Sequence, residues 1–328
     1  MRRKMNKVET QTSRTYFECA KAAASPRPPV SPSPRPRVSA SLLVILALLP
    51  ALITPAQVKR SARKGSHSTA PIESMSAEAR NLVERAMGVI CTERKKDALG
   101  SMPIDDMQGR PSLPLHSSEA TAGAERAQRL LPVAKVLVVE ALRKVAAEYK
   151  LDKTSGYQLT MQRAIARVNK VKRVHPDMDS RDNASVFLRR PHVITFGTIF
   201  LAGLPSDEAM ISVLAHELAH IADGDRDSLR TLFRSIGRRA SGLLGMRISN
   251  QRAEELACDL VGTMASREFV EDSPGYEPLV RRIARAVEHN CVEVDEGDED
   301  HLSPRTTIRA LLALRPDLTR ELVYGQSQ

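Results

Sequence analysis

The stretch VLAHELAHIADGD, Val213 to Asp225, sets two histidines four residues apart with a glutamate directly after the first. Residues i and i+4 project from one side of a helix, so His216 and His220 can turn their imidazoles toward one metal ion. Glu217, one residue round, can reach a water on that metal without ligating it. A zinc ion held this way lowers the pKa of its water toward about 7, and the glutamate is placed to take the proton. The competing reading is a helix whose histidines simply hydrogen-bond inside a core, and the pattern alone leaves both open.

A catalytic zinc takes three protein ligands and keeps one position for water. The stretch NQRAEELACDLVG, Asn250 to Gly262, supplies a second helical pattern in which Glu255 and Asp259 are again four apart. Glu255 is the expected third ligand. Asp259, one turn on, is expected to accept a hydrogen bond from the far nitrogen of a ligating histidine and so fix its tautomer. Glu254 falls on another face and reads as solvent-exposed, and Cys258 reads as a small half-buried thiol.

These side chains need elements to hold them. Ser206 stands at an N-cap position with Asp207 and Glu208 in the first turn. Met210, Val213, Leu214, Leu218 and Ile221 form an apolar face, and Gly224 is a stop. The segment Asn183–Phe200 is the one convincing β-rich stretch, with Pro191 confining it to an edge or a turn. Ser76 onward and Glu125–Tyr149 carry helical spacing, the latter bent at Pro132 if it is one helix, and 158–171 is a third candidate. Apolar stripes over 277–289 and 304–322 read as core helices. Arg226–Ser249 is a basic amphipathic stretch, open to three readings: a lid, a membrane-surface contact, or a solvated helical hairpin. His175, His192 and His289 stand alone. The acidic run Glu293–Asp300 lacks a full calcium-loop pattern.

Taken together, His216-Glu217-x-x-His220 followed by Glu255-x-x-x-Asp259 resembles the gluzincin metallopeptidases of the HtpX and CAAX-prenyl-protease type. Asn183-Ala184, with Gly197 fourteen residues after the asparagine, is similar to the Asn-Ala edge strand and Gly-containing turn of that family. Ser303-Pro304 with Arg309 is similar to its His-Pro-x-x-x-x-Arg segment, except that serine stands where the family has histidine and His301 lies two positions off. The resemblance covers about residues 183–314. It implies one zinc per chain, endopeptidase activity, and an extended polypeptide bound along the strand through Asn183, Ala184, Val193 and Thr195. It also implies Arg309 near the site, stabilising an oxyanion, against which stands an ordinary surface salt bridge.

Charge argues about partners. The chain carries a net +10, yet residues 1–65 alone hold thirteen Lys/Arg against Glu9 and Glu18, leaving the rest at about −1. A nucleic-acid binder would carry its basic patch on the folded part, so no nucleic acid is expected. The basic, Pro-rich residues 1–56 include the apolar run SLLVILALLPALI within 41–54. That run falls short of the roughly twenty residues a membrane span needs. It suits a secretory signal cleaved after Ala56, with an uncleaved anchor as the alternative. Either places the remainder in the periplasm or outside the cytoplasm. There Cys91 and Cys291 could pair.

The expectation is an α+β, mostly helical zincin domain over 120–325, with a small sheet whose edge strand precedes the His-Glu-x-x-His helix. A poorly ordered linker with one helix, 57–119, comes before it. The expected activity is that of a zinc-dependent endopeptidase of the cell envelope, in protein quality control or maturation. A metal-binding envelope chaperone that keeps the fold without turnover is the alternative.

Overall fold

The computed structural model describes residues 74–93, 111–181, 183–187, 191–204, 206–224, 229–273, 297 and 299–325. The signal-like run, Cys291, the 277–289 stripe and most of the acidic run lie outside them, as does the side chain of Cys91. The architecture is α+β and mostly helical, with one small sheet. Among the described residues no helix is long and apolar enough to cross a membrane.

Helix α1, Ala77–Glu93, is followed by α2, Ser118–Glu148. The second begins seven residues before the position its apolar spacing suggests. Ser117 caps it by accepting from the Ala120 amide, and Glu119 lies in the first turn. Gly123 hides this start from a pattern reading, since glycine weakens a helix. It is there for packing: a Cβ on it would come within 2.5 Å of the Leu201 carbonyl oxygen. Pro132 sits inside the helix. A short 3-10 turn leads into α3, Tyr157–Lys170.

Three strands follow: β1, Arg173–Asp177; β2, Ala184–Val186; and β3, Val193–Gly197. Their order is β1-β3-β2, with β1 parallel and β2 antiparallel to β3. The charged, proline-containing sequence of β1 has no strand signature. It is an edge strand held by pairing to β3, where Pro176 is tolerated. The central position of β3 corrects one expectation in part: the Thr195 backbone is already paired on both sides and offers nothing to a peptide, whereas Val193 pairs with Arg173 of β1 and lies beyond the register of β2. Among the described residues the sheet has two outer edges, β1 and β2, and β2, which begins right after Asn183, is the one that carries the expected Asn-Ala strand. The turn after it holds Pro191.

Helix α4, Thr198–Gly203, takes over where the β-rich pattern seemed to run on to Phe200. Helix α5, Asp207–Asp223, carries the His-Glu-x-x-His sequence. Ser206 caps it, accepting from the Ala209 amide. Gly224, at φ 67°, ends it as expected. It is not one-sided, however. Almost every residue from Glu208 to Asp223 is buried, because Ala209, Ala215, Ala219 and Ala222 let neighbours close on the faces opposite the large side chains. Arg167 of α3 donates to the Ala222 and Asp223 carbonyls, satisfying acceptors the helix end leaves open.

Helix α6, Arg230–Leu244, and helix α7, Asn250–Glu271, complete the layer around α5. α5 packs most extensively against α7 and next against α2. Leu232, Phe233, Ile236 and Ala240 of α6 are buried, and that helix packs on α7 and on α8, Pro304–Leu314. Its apolar side is therefore spent on the core and is not what would meet a membrane. The stripe over 304–322 proves to be two helices, α8 and α9, Pro316–Tyr324, because Pro316 cannot continue the ladder past Arg315. Helix α1 packs on α8 and α9, with Val83, Ala86 and Met87 in the main core. The core thus takes in residues well before position 120.

Candidate metal centre

The site lies where α5 meets α7. Gly262 lets the two helices close, since a Cβ there would come within 2.8 Å of the Ser212 carbonyl oxygen. Ser249 caps α7 by accepting from the Arg252 amide. One turn on, Glu255 faces the two histidines of α5.

Three donor atoms converge. His216 Nε2 and His220 Nε2 are 3.1 Å apart, and Glu255 Oε2 is 3.4 Å from the first and 3.3 Å from the second. A tetrahedral zinc with ligand bonds of about 2.0–2.1 Å requires its donors to stand about 3.3 Å from one another. The set matches that spacing. Its chemistry matches too: Asp259 Oδ1 lies 2.8 Å from His216 Nδ1, placed to accept a hydrogen bond from that N–H, which leaves Nε2 as the nitrogen turned toward Glu255 and available to a metal once the ring is neutral. Glu255 Oε2 is buried, and the two imidazoles of α5 face it. Two ring nitrogens and a carboxylate oxygen brought this close need a proton or a cation between them. His216, His220 and Glu255 form a group that could hold a metal ion.

The electrostatics express the same crowding. Burial opposes protonation of His216, but hydrogen bonds to the Asp259 and Glu255 carboxylates outweigh it and hold its pKa up to about 9. His220 is likewise raised against its burial. Burial pushes the Glu255 carboxyl up, and the surrounding imidazoles overcome this to hold it well below the usual carboxylate range. Glu217 is buried beside the cluster and responds to the charges of His216, His220, Glu255 and His301. Burial raises its pKa, which makes it a stronger base than an exposed glutamate.

Two residues enter that pattern reading had set aside. His301, in the extended residues before α8, is buried with Nε2 3.4 Å from Glu255 Oε2. Its offset from the expected position has a local cause: Ser303 is occupied as the N-cap of α8, accepting from the Thr306 amide. A histidine two residues upstream was visible, but nothing local said it would turn toward α7. Glu254, expected in solvent, is 41 % exposed yet reaches to 3.5 Å from His220 Nδ1.

Other expectations are corrected. Arg309 forms an ion pair with Glu84 of α1 at 3.0 Å, so the salt-bridge reading is the one observed and the oxyanion role falls away. Cys258 is wholly rather than half buried, and burial pushes its thiol up, away from the thiolate a metal would select. His175 and His192 are exposed. Asn183 and Ala184 stand at the β2 edge, where the Asn183 carbonyl accepts from the Gly197 amide at 2.7 Å. β2 packs on α5, which sets this edge alongside the metal-site helix.

Compared with models of known protein families, with curated proteins and with solved structures, the chain gives no significant match in any of the three.

Proposed function

We propose that this chain is a zinc-dependent endopeptidase with a gluzincin-type centre. The observation that carries the reading is the mutual approach of His216 Nε2, His220 Nε2 and Glu255 Oε2 to 3.1–3.4 Å, with Asp259 behind the first. When bound, zinc supplies Lewis acidity and a water acidic enough to ionise near neutral pH. His216, His220 and Glu255 would hold it. Glu217 takes the proton from the attacking water and returns it to the leaving amine, a role its raised basicity suits. His301, next to Glu255 and sensed by Glu217, is the candidate donor to the developing oxyanion in place of Arg309.

The edge of β2 beside α5, unpaired among the described residues, supports an extended polypeptide substrate, because open strand amides and carbonyls can add one more strand. The basic N-terminal residues and the apolar run of 41–54 support work in the cell envelope, on protein quality control or maturation.

Metal content of the purified full chain tests this first. One zinc per chain that is lost in Glu255→Ala supports the centre. Hydrolysis of an unfolded polypeptide then separates catalysis from binding: Glu217→Gln should keep zinc and lose turnover. Wild-type protein that binds zinc and cleaves nothing would favour the chaperone reading instead.

A further inference from the structure

His216 and His220 both present Nε2 to the centre, so each has its Nδ1 turned outward. Behind His216 the partner is Asp259, at 2.8 Å, with 1 % of its side chain exposed. Behind His220 stands Glu254, 3.5 Å from Nδ1 and 41 % exposed. The two acids lie five residues apart on one helix and flank Glu255. α7 therefore supplies a ligand and an outer partner for each histidine.

The geometry points to Glu254 as the positioning residue for His220, the counterpart of Asp259 for His216. This rests on the metal-centre reading. An imidazole binds metal through one nitrogen only when the other keeps its proton, and a carboxylate behind that proton fixes the ring and makes the ligating nitrogen more basic. The two halves of the centre differ in kind. Asp259 is sealed from solvent, so its hold on His216 is permanent and unscreened. Glu254 stands at the water boundary, where salt weakens it and the side chain can swing away. His220 is thus the ligand that lets go first, and the metal leaves through that side. The Cys258 sulfur also lies within hydrogen-bonding reach of His220. Being neutral and a weak acceptor, it competes poorly with a carboxylate for the proton.

Zinc affinity of the full chain, measured by competition with a chelating dye, tests the assignment. Glu254→Ala should weaken zinc about 10–100-fold. Glu254→Gln, which keeps an acceptor oxygen, should restore part of the loss, and Glu271→Ala on the same helix should change nothing. Zinc release from wild type should quicken with salt, and from Glu254→Ala it should not. Equal affinities for wild type and Glu254→Ala would overturn the assignment. So would a loss seen in Cys258→Ala but not in Glu254→Ala. Histidine-labelled, metal-free protein gives a readout independent of zinc: a protected Nδ1 proton on His220 in wild type, absent in Glu254→Ala. If wild type takes up no zinc, the metal-centre reading fails, and the presence or absence of that proton alone upholds or overturns the positioning role.

Discussion

Asp259 Oδ1 lies 2.8 Å from His216 Nδ1, with both side chains almost wholly buried and 43 positions apart in the chain. The contact favours a proton on Nδ1, so that Nε2 is the nitrogen a metal would take once the ring is neutral. Asp259→Ala should therefore lower zinc affinity about 10–100-fold, with Asp259→Asn closer to wild type because its amide oxygen can still accept. Zinc competition on the three proteins checks this; an unchanged affinity in the alanine variant would remove Asp259 from the site.

Proton linkage gives a pH dependence of definite sign. The folded His216 pKa of about 9 exceeds the ordinary value of 6.5, so this group stabilises the metal-free fold. That stability is fully present below pH 6.5 and is lost as pH rises through about 9. Zinc requires the neutral ring, so metal binding expels protons and strengthens over the same range. Melting temperature without metal should fall from pH 6.5 to 9, while the increase produced by zinc grows. A zinc-induced increase that is flat with pH would contradict the shared proton.

The segment before α8 divides two roles between neighbours. Ser303→Ala removes an N-cap and should cost about 1 kcal/mol, leaving zinc binding and turnover per folded molecule intact. His301→Ala should leave zinc bound and reduce kcat. Denaturant melts beside turnover assays separate them, and a Ser303 variant that is stable but inactive would reverse the assignment.

Arg309→Ala breaks an exposed ion pair with Glu84 and should cost no more than about 1 kcal/mol, with kcat and KM unchanged. A large fall in kcat at unchanged stability would return Arg309 to the catalytic site.

Gly197 ends β3 against a turn whose Arg181 has φ 48°, and an added Cβ would sit 1.7 Å from the Arg181 carbonyl oxygen. Neither backbone can give way cheaply. Gly197→Ala should destabilise the fold by about 3 kcal/mol, read as a lower denaturant midpoint.

The residues that could hold a metal were legible in the sequence because their geometry is local. His216 and His220 share a side through helical periodicity, and Glu255 and Asp259 do the same, with Ser206 and Gly224 marking where the first of those helices begins and ends. Helix caps and the apolar faces of α2 and α5 belong to the same level. What local pattern could not carry is everything that depends on one element's register against another. Gly262 sets how closely α7 approaches α5, and only that approach brings Glu254 to His220. β1 is a strand because β3 pairs with it, not because its own residues prefer it. Arg309 meets Glu84 and His301 meets Glu255 across 225 and 46 residues of chain, and motif spacing pointed to neither contact. Periodicity specifies which side of a helix a residue occupies. What that side faces is decided by packing, where small residues permit close approach and a carboxylate and an imidazole find each other only once the helices have docked.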